Sequence, residues 1–178
     1  IPISIVATDE ATVAPASLVF TSSNWNVPQT ATVTPVDDFL VDGDQPFVVV
    51  LGAATSTDTT GYNAIDPTDV TGTTQDDDSA SFTITGAVTD TSETGTSIGF
   101  DIVLASQPTA NVTVTVSGLD STEGSLSASV LTFTPSGAGA WNIAQTLTVT
   151  GVNDDVDDGD GDYILALTPG GGDATYAA

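Results

Sequence analysis

The chain has 178 residues, of which 24 are Asp or Glu and none is Lys, Arg or His, so its formal net charge is −24. Proteins bind phosphate groups through Lys and Arg, so this composition excludes nucleic acid as a direct partner. Hydrophobic residues make up 39% of the chain, which is enough for a core and argues against intrinsic disorder, but no apolar run is long enough for direct membrane insertion as a helix.

Short segments rich in Val, Thr and Ile follow one another along the chain. The first half contains TATVT and PFVVVL. Apolar residues at alternate positions, as in Val112, Val114 and Val116, are typical of a strand with one buried face. This pattern, with Gly, Pro, Ser and Asp in the gaps, predicts an all-β fold of tandem antiparallel β-sandwiches of the immunoglobulin-like type. The clearest strand signals in the second half are the ranges 79–86, 97–105, 111–119, 130–135, 145–152 and 162–169.

An internal repeat relates the two halves of the chain. Trp25 corresponds to Trp141 with an offset of 116, and Phe20 corresponds to Phe133 with an offset of 113. The difference indicates a three-residue insertion in the second copy. A period of about 110–116 residues is the size of one β-sandwich domain.

The repeat predicts two modules, residues 1–78 and residues 79–178. The first module lacks counterparts of the opening strands of the second, and the second lacks a counterpart of the closing strand of the first. One interpretation is that the chain is a part of a longer tandem array. The other is that neighbouring subunits supply the missing strands, so that subunits assemble head to tail by strand exchange.

The acidic residues gather in runs. Two carboxylates ~5 Å apart repel by about 3 kcal/mol at an effective dielectric of about 20, so cations are needed to hold such runs together. A hard divalent cation with oxygen ligands suits them, and Ca²⁺ suits them best. In both modules the acids stand at the same distance before an aromatic residue, Phe47 or Tyr163. The candidate metal ligands in these runs are Asp37, Asp38, Asp42, Asp44, Asp76, Asp77, Asp78, Asp154, Asp155, Asp158 and Asp160.

This arrangement resembles the Calx-beta module, which has the pattern D-D-x3-E-x2-E-x-[FY] after a strand. Asp42 and Asp158 stand where that family has its first Glu, and the second Glu is replaced. The resemblance implies calcium binding, and it adds Glu93, at the place of an early family Glu, to the candidate ligands. Asp120 is a further candidate. The positions that match the pattern are Asp37, Asp38, Asp42 and Phe47 in the first module and Asp154, Asp158 and Tyr163 in the second.

The segment NWNVPQTATVTPVDD also looks like the tandem repeats of very large bacterial surface proteins. We therefore predict a calcium-stabilised structural segment of an extracellular fibre, stalk or adhesin, secreted to or held at a bacterial cell surface. Its partners would be calcium ions and neighbouring modules or identical subunits in a fibre. The alternative is a calcium-dependent carbohydrate- or protein-binding module, in which an exposed Trp stacks on a sugar. We expect instead that Trp25 and Trp141 each plug the end of their own sandwich.

Catalysis is not expected. The absence of His, Cys, Lys and Arg removes most general acid–base and nucleophile arrangements. A catalytic carboxylate pair would need one acid kept neutral in an apolar pocket, whereas these acids lie in polar loops. Scattered acids are expected to be solvated turn residues, namely Asp58, Asp66, Asp90 and Asp173.

Overall fold

The computed structural model describes residues 1–7, 9–86, 90–153, 159 and 161–177. These residues form twelve strands and no helix, and the pairings between the named strands are antiparallel. The prediction of an all-β fold with antiparallel sheets is confirmed. Within the described part of the chain, no helix has the length and apolar character needed to cross a membrane.

The chain divides into two compact units. The first unit consists of Ile1–Asp38 and Asp42–Asp76, and the second consists of Phe39–Val41 and Asp77–Ala178. The predicted modules, 1–78 and 79–178, were defined by the repeat and by missing strands, and they stay a prediction.

Two small sheets form the first unit. Its strands are β1 (Ile3–Val6), β2 (Ala11–Ala14), β3 (Thr32–Pro35), β4 (Gln45–Leu51) and β5 (Val70–Thr74). Among the described residues, one sheet has the order β1-β4-β5 and the other pairs β2 with β3. The buried apolar residues are Ile3, Ala11 and Val49, so the core of this unit is thin.

Two larger sheets form the second unit. Its strands are β6 (Phe82–Thr85), β7 (Ser97–Leu104), β8 (Val112–Ser117), β9 (Gly124–Leu126), β10 (Val130–Phe133), β11 (Gln145–Gly151) and β12 (Ala166–Gly171). The sheet orders are β6-β7-β11-β9 and β10-β8-β12. Val112, Val114 and Val116 are buried and alternate with Thr, as predicted. Both sheets contribute to one apolar core, which is a β-sandwich-like arrangement. That core contains Ile102, Leu104, Val112, Val114, Leu131, Phe133 and Tyr176.

The internal repeat is visible in the strand pairing. Val33 of β3 pairs with Val13 of β2, and their sequence counterparts Val149 and Leu126 pair in the same way in β11 and β9. The pairing of β4 with β1 likewise has the register of the pairing of β12 with β8. Equal registers place equivalent side chains on equivalent faces, so each residue of one unit can be compared directly with its counterpart in the other.

The segment after β12 returns to the core of the second unit. Asp173 is only 2% exposed, and its carboxylate accepts hydrogen bonds from the Thr109 amide (2.6 Å) and the Thr175 amide (2.9 Å). The Tyr176 hydroxyl donates to the Ser106 carbonyl oxygen (2.9 Å), which fixes the same segment. The prediction that Asp173 is solvated is therefore wrong, because two Thr residues supply donors that replace water.

Candidate metal centre

Three carboxylates meet at one end of the β2–β3 sheet. Because Ala11 pairs with Pro35, the residue before β2 lies beside the residues after β3, and the Val36 amide donates to the Glu10 carbonyl oxygen (2.9 Å). The loop that continues towards β4 carries two of the predicted ligands. One carboxylate oxygen from each of Glu10, Asp38 and Asp42 lies within 4.8 Å of the others. We call this group the acidic triad.

The acidic triad is electrostatically unfavourable without a cation. Glu10 and Asp38 are half-buried and Asp42 is exposed. Partial desolvation, followed by repulsion from neighbouring carboxylates, above all that of Asp42, raises the pKa of Glu10 above its ordinary value of 4.5. Carboxylates held this close repel one another. A divalent cation would turn this repulsion into attraction.

The chemistry of the acidic triad suits a hard cation. Three carboxylates offer up to six oxygens, and Ca²⁺ takes six to eight oxygen ligands at about 2.3–2.6 Å, with water completing an open site. The site is open on the side of Asp42, which is exposed to solvent. On the half-buried side, the Thr74 hydroxyl donates a hydrogen bond to the Glu10 carbonyl oxygen (3.0 Å), which helps to fix the backbone of Glu10. The triad could therefore hold a metal ion, and its donor set gives no preference for a soft one.

Two other predicted ligands of the first unit, Asp44 and Asp76, accept hydrogen bonds from backbone amides. The Gly43 amide donates to a carboxylate oxygen of Asp76 (2.7 Å), and the Asp76 amide donates to a carboxylate oxygen of Asp44 (3.2 Å). Asp37 is exposed beside its neighbour Asp38. Among the described residues, the structure thus brings together two of the predicted ligands, Asp38 and Asp42, with one that was not predicted.

In the second unit, Glu93 lines a cavity of about 650 Å³. The other acidic residues that line this cavity, among the described residues, are Asp90, Glu123 and Asp162. Asp120 instead closes a turn: its carboxylate accepts hydrogen bonds from the Thr122 amide (3.0 Å) and hydroxyl (2.8 Å), which lower its pKa. Asp77 is exposed and Asp78 is half-buried at the start of this unit. Four predicted ligands lie outside the described residues: Asp154, Asp155, Asp158 and Asp160.

Glu10 is the member of the acidic triad that sequence reasoning missed, although the sequence contains a signal for it. Glu10 and Glu123 differ by 113, the offset that also relates Phe20 to Phe133. Each of them directly precedes the first residue of a strand, β2 or β9. Extending the repeat through these two Glu residues would have added Glu10 to the candidates.

The two tryptophans have different environments. Trp141 is partly buried against the core of the second unit, and its ring lies 5.4 Å from that of Phe39, measured between centroids. Trp25 is 67% exposed. The prediction that each Trp plugs the end of its own sandwich is therefore wrong for Trp25.

No protein-family model, curated protein or solved structure matches the chain. The resemblance to the Calx-beta module thus rests on the residues quoted above and stays a prediction. The fold and the acidic triad are the observations from which a function has to be argued.

Proposed function

We propose that the chain is a calcium-stabilised structural segment of an extracellular fibre, stalk or adhesin, built from immunoglobulin-like sandwiches of the Calx-beta type. The acidic triad is the observation that carries this proposal. A cation bound only by the folded chain stabilises it by RT ln(1 + [Ca]/Kd), which is about 2.7 kcal/mol when calcium is present at about 100 times Kd. In a unit with as thin a core as the first, such a contribution decides whether the unit is folded.

The openness of the acidic triad supports an extracellular location. Affinity for Ca²⁺ rises with the number of charged ligands and the rigidity of the site, and weak sites of extracellular modules bind with Kd of about 10⁻⁴–10⁻³ M. The triad has three carboxylates, one of them exposed. It would be filled at the millimolar calcium levels outside cells and empty at micromolar levels. We propose a bacterial cell surface, with neighbouring modules or identical subunits as the other partners.

Calcium-dependent unfolding tests this proposal. Calorimetry of the chain in about 5 mM CaCl₂ and in excess EGTA should show a higher melting temperature with calcium, by roughly 10 °C. The variant Asp38→Asn/Asp42→Asn should lose most of the calcium-dependent increase in melting temperature that comes from the first unit. The matched control is Asp58→Asn in the same unit, where an exposed Asp outside the triad is changed. Equal melting curves of the unsubstituted chain in the two buffers would refute the proposal.

The exposed side chain of Trp25 favours a second candidate, a calcium-dependent carbohydrate- or protein-binding module. An aromatic ring that is 67% exposed is available for stacking on a sugar. Screening an array of glycans with the chain and with Trp25→Ala would separate the candidates. Calcium-dependent binding that Trp25→Ala abolishes would establish the second function, and no binding would leave the structural role.

A further inference from the structure

Equivalent strands of the two units have different numbers of partners. In the second unit, β11 lies between β7 and β9. Its counterpart β3 pairs, among the described residues, with β2 alone. Because β2 and β3 have the register of β9 and β11, the other edge of β3 corresponds to the edge that holds β7. We call this edge, over residues 29–34, the open edge.

Side chains near the open edge are exposed where their counterparts are buried. Phe133 is fully buried in the core that includes Ile102 and Leu104 of β7, whereas its counterpart Phe20 is 44% exposed. The same contrast separates Trp141, which is half-buried, from Trp25, which is 67% exposed.

A third pair of counterparts does not show this contrast. Val27 and Ile143 differ by 116 in number and are 53% and 52% exposed. Greater exposure in the first unit is therefore not found at every position. Phe20 and Trp25 are the more exposed members of their pairs. In the second unit β6 and β7 extend the sheet of β11, and the described residues of the first unit contain no counterpart of these two strands.

We infer that the open edge and Phe20 form a docking surface for one more strand pair of this repeat type, an antiparallel β6–β7 pair. The incoming β7-type strand pairs with residues 29–34 in the register in which β7 pairs with residues 145–150. Its alternating apolar side chains, equivalent to Ile102 and Leu104, cover Phe20. This inference goes beyond the proposed function, because it does not depend on calcium.

The charges of the two surfaces suit this pairing. Residues 29–34 read QTATVT and contain no acid, although the chain has 24 acids. The β7 strand carries one acid, Asp101, whose carboxylate accepts a hydrogen bond from the Thr146 hydroxyl (2.5 Å). The counterpart of Thr146 is Thr30. The open edge therefore offers a hydroxyl to the one carboxylate that would otherwise oppose the pairing.

Pro35 sets the end of the docking surface. Its counterpart Gly151 donates its amide to the Thr96 carbonyl oxygen (3.1 Å), and a Cβ atom at Gly151 would clash with the Ser92 carbonyl oxygen. Proline has no amide hydrogen and carries a Cβ atom, so the pairing stops at Thr34. A proline at an open edge also hinders addition of unrelated strands.

The test adds a β6–β7 strand pair to the 178-residue chain. A second copy of residues 79–113 is fused in front of Ile1, because Ile1 corresponds to Val114 in the repeat. Amides of alternate residues point to the same edge of a strand, so by equivalence with Gly151 the Ala31 and Val33 amides face the open edge. The Thr32 and Thr34 amides face β2 and serve as internal controls. Hydrogen exchange at Ala31 and Val33 should slow by at least about tenfold, with little change at Thr32 and Thr34.

A matched fusion controls for the added length. In it, Ile102→Asp and Leu104→Asp are made in the added copy only, which keeps the chain length and removes the apolar cover. This fusion should leave Ala31 and Val33 as fast as in the unextended chain. In a Trp141→Phe background, the emission of Trp25 should shift to the blue in the intact fusion alone. Pro35→Gly should extend the protection by one residue. Unchanged exchange at Ala31 and Val33 in the intact fusion, or equal slowing in the two fusions, would overturn the inference.

Discussion

At the scale of single residues, the pattern Asp-x-Thr forms the same turn at two exposed positions and at one buried position. Asp58, Asp120 and Asp173 each accept hydrogen bonds from the amide and hydroxyl of the Thr two positions later. The sequence pattern Asp-x-Thr favours this turn but does not guarantee it, because the pattern also occurs at Asp69, whose carboxylate instead accepts a hydrogen bond from the Leu51 amide (2.9 Å). It does not predict burial, which depends on what the rest of the chain places over the turn. Asp173 is buried because the segment around Thr109 packs over it. Thr109 is distant in sequence, so the residues next to Asp173 do not predict this contact.

Replacing Asp173 should be costly, whereas replacing Asp58 should not. Asp173→Ala removes a buried carboxylate that accepts hydrogen bonds from the amides and hydroxyls of Thr109 and Thr175, and we expect a loss of about 3 kcal/mol in the free energy of unfolding. Asp58→Ala removes a similar turn from an exposed loop and should cost much less. Urea unfolding monitored by circular dichroism measures both. Equal losses in the two variants would contradict the assignment of Asp173 to the core.

The effect of Asp173 should also depend on pH. Burial acts to raise its pKa, but the hydrogen bonds from Thr175 and Thr109 outweigh burial and hold the pKa well below its ordinary value of 3.8. A lowered pKa in the folded state stabilises the fold above pH 3.8, and this contribution is lost as the pH falls further. The difference between the chain and Asp173→Ala should therefore shrink below about pH 4.

Glu10 should show the opposite dependence. Its pKa is raised in the folded state, so without a cation its charged form destabilises the fold as the pH rises through and above 4.5. In EGTA at pH 7, Glu10→Gln should therefore raise the melting temperature, and the gain should vanish when the pH falls below about 4. In calcium the same substitution should lower the melting temperature, because it removes a ligand. A variant that is less stable than the unsubstituted chain in both buffers would contradict this account.

At the scale of elements, strand positions follow from alternation, and strand lengths follow from partners. The runs 79–86 and 97–105 predict β6 and β7 closely. The run 162–169 predicts β12 only in part, because β12 begins at Ala166 and ends at Gly171. Its counterpart β4 spans Gln45–Leu51, and residues 45–49 of β4 pair with β5. The described residues of the second unit contain no counterpart of β5, and Ile164 is 83% exposed. Residues 162–165 therefore have a strand pattern but lie outside the strands.

The pairing of β4 with β5 depends on a glycine. Gly72 lies opposite Phe47, and a Cβ atom at Gly72 would clash with the Phe47 ring. We expect Gly72→Val to cost about 2–3 kcal/mol in the free energy of unfolding, although Val is favoured in strands. Gly99→Ala is the control, since a Cβ atom there would have its nearest neighbour at 3.5 Å, an ordinary contact. Chemical denaturation of both variants would test this, and a neutral Gly72→Val would show that the ring has another place to go.

At the scale of the whole molecule, the sequence predicts the all-β class and the repeat because both are written in local patterns and spacings. It predicts two of the three members of the acidic triad, because Asp38 and Asp42 belong to a conspicuous run. Glu10 comes from a distant strand end and joins them only through the β2–β3 register. Distances between loops depend on pairing that short patterns do not encode.

The charge of the molecule has a consequence for its response to salt. All charged side chains are negative, so interactions between them are repulsive throughout. Raising NaCl from about 0.01 M to about 1 M shortens the Debye length from about 30 Å to about 3 Å. In EGTA, the melting temperature should rise steadily over this range, whereas proteins with salt bridges often lose stability. Calorimetry with tetramethylammonium chloride as a second salt separates screening from sodium binding, and a fall in melting temperature would contradict the argument.

The equal registers of the two units also create a hazard during folding. The strand β2 pairs with β3, but its register also fits β11, the partner of its counterpart β9. Chains in which β2 pairs with β11 would be kinetic traps that compete with native folding. Native and non-native strand partners differ in the size of their side chains. For example, Ala31 is the counterpart of Leu147, and Val13 is the counterpart of Leu126. Copies with identical sequences would lose this discrimination. We therefore expect sequence differences between adjacent copies to favour correct strand pairing.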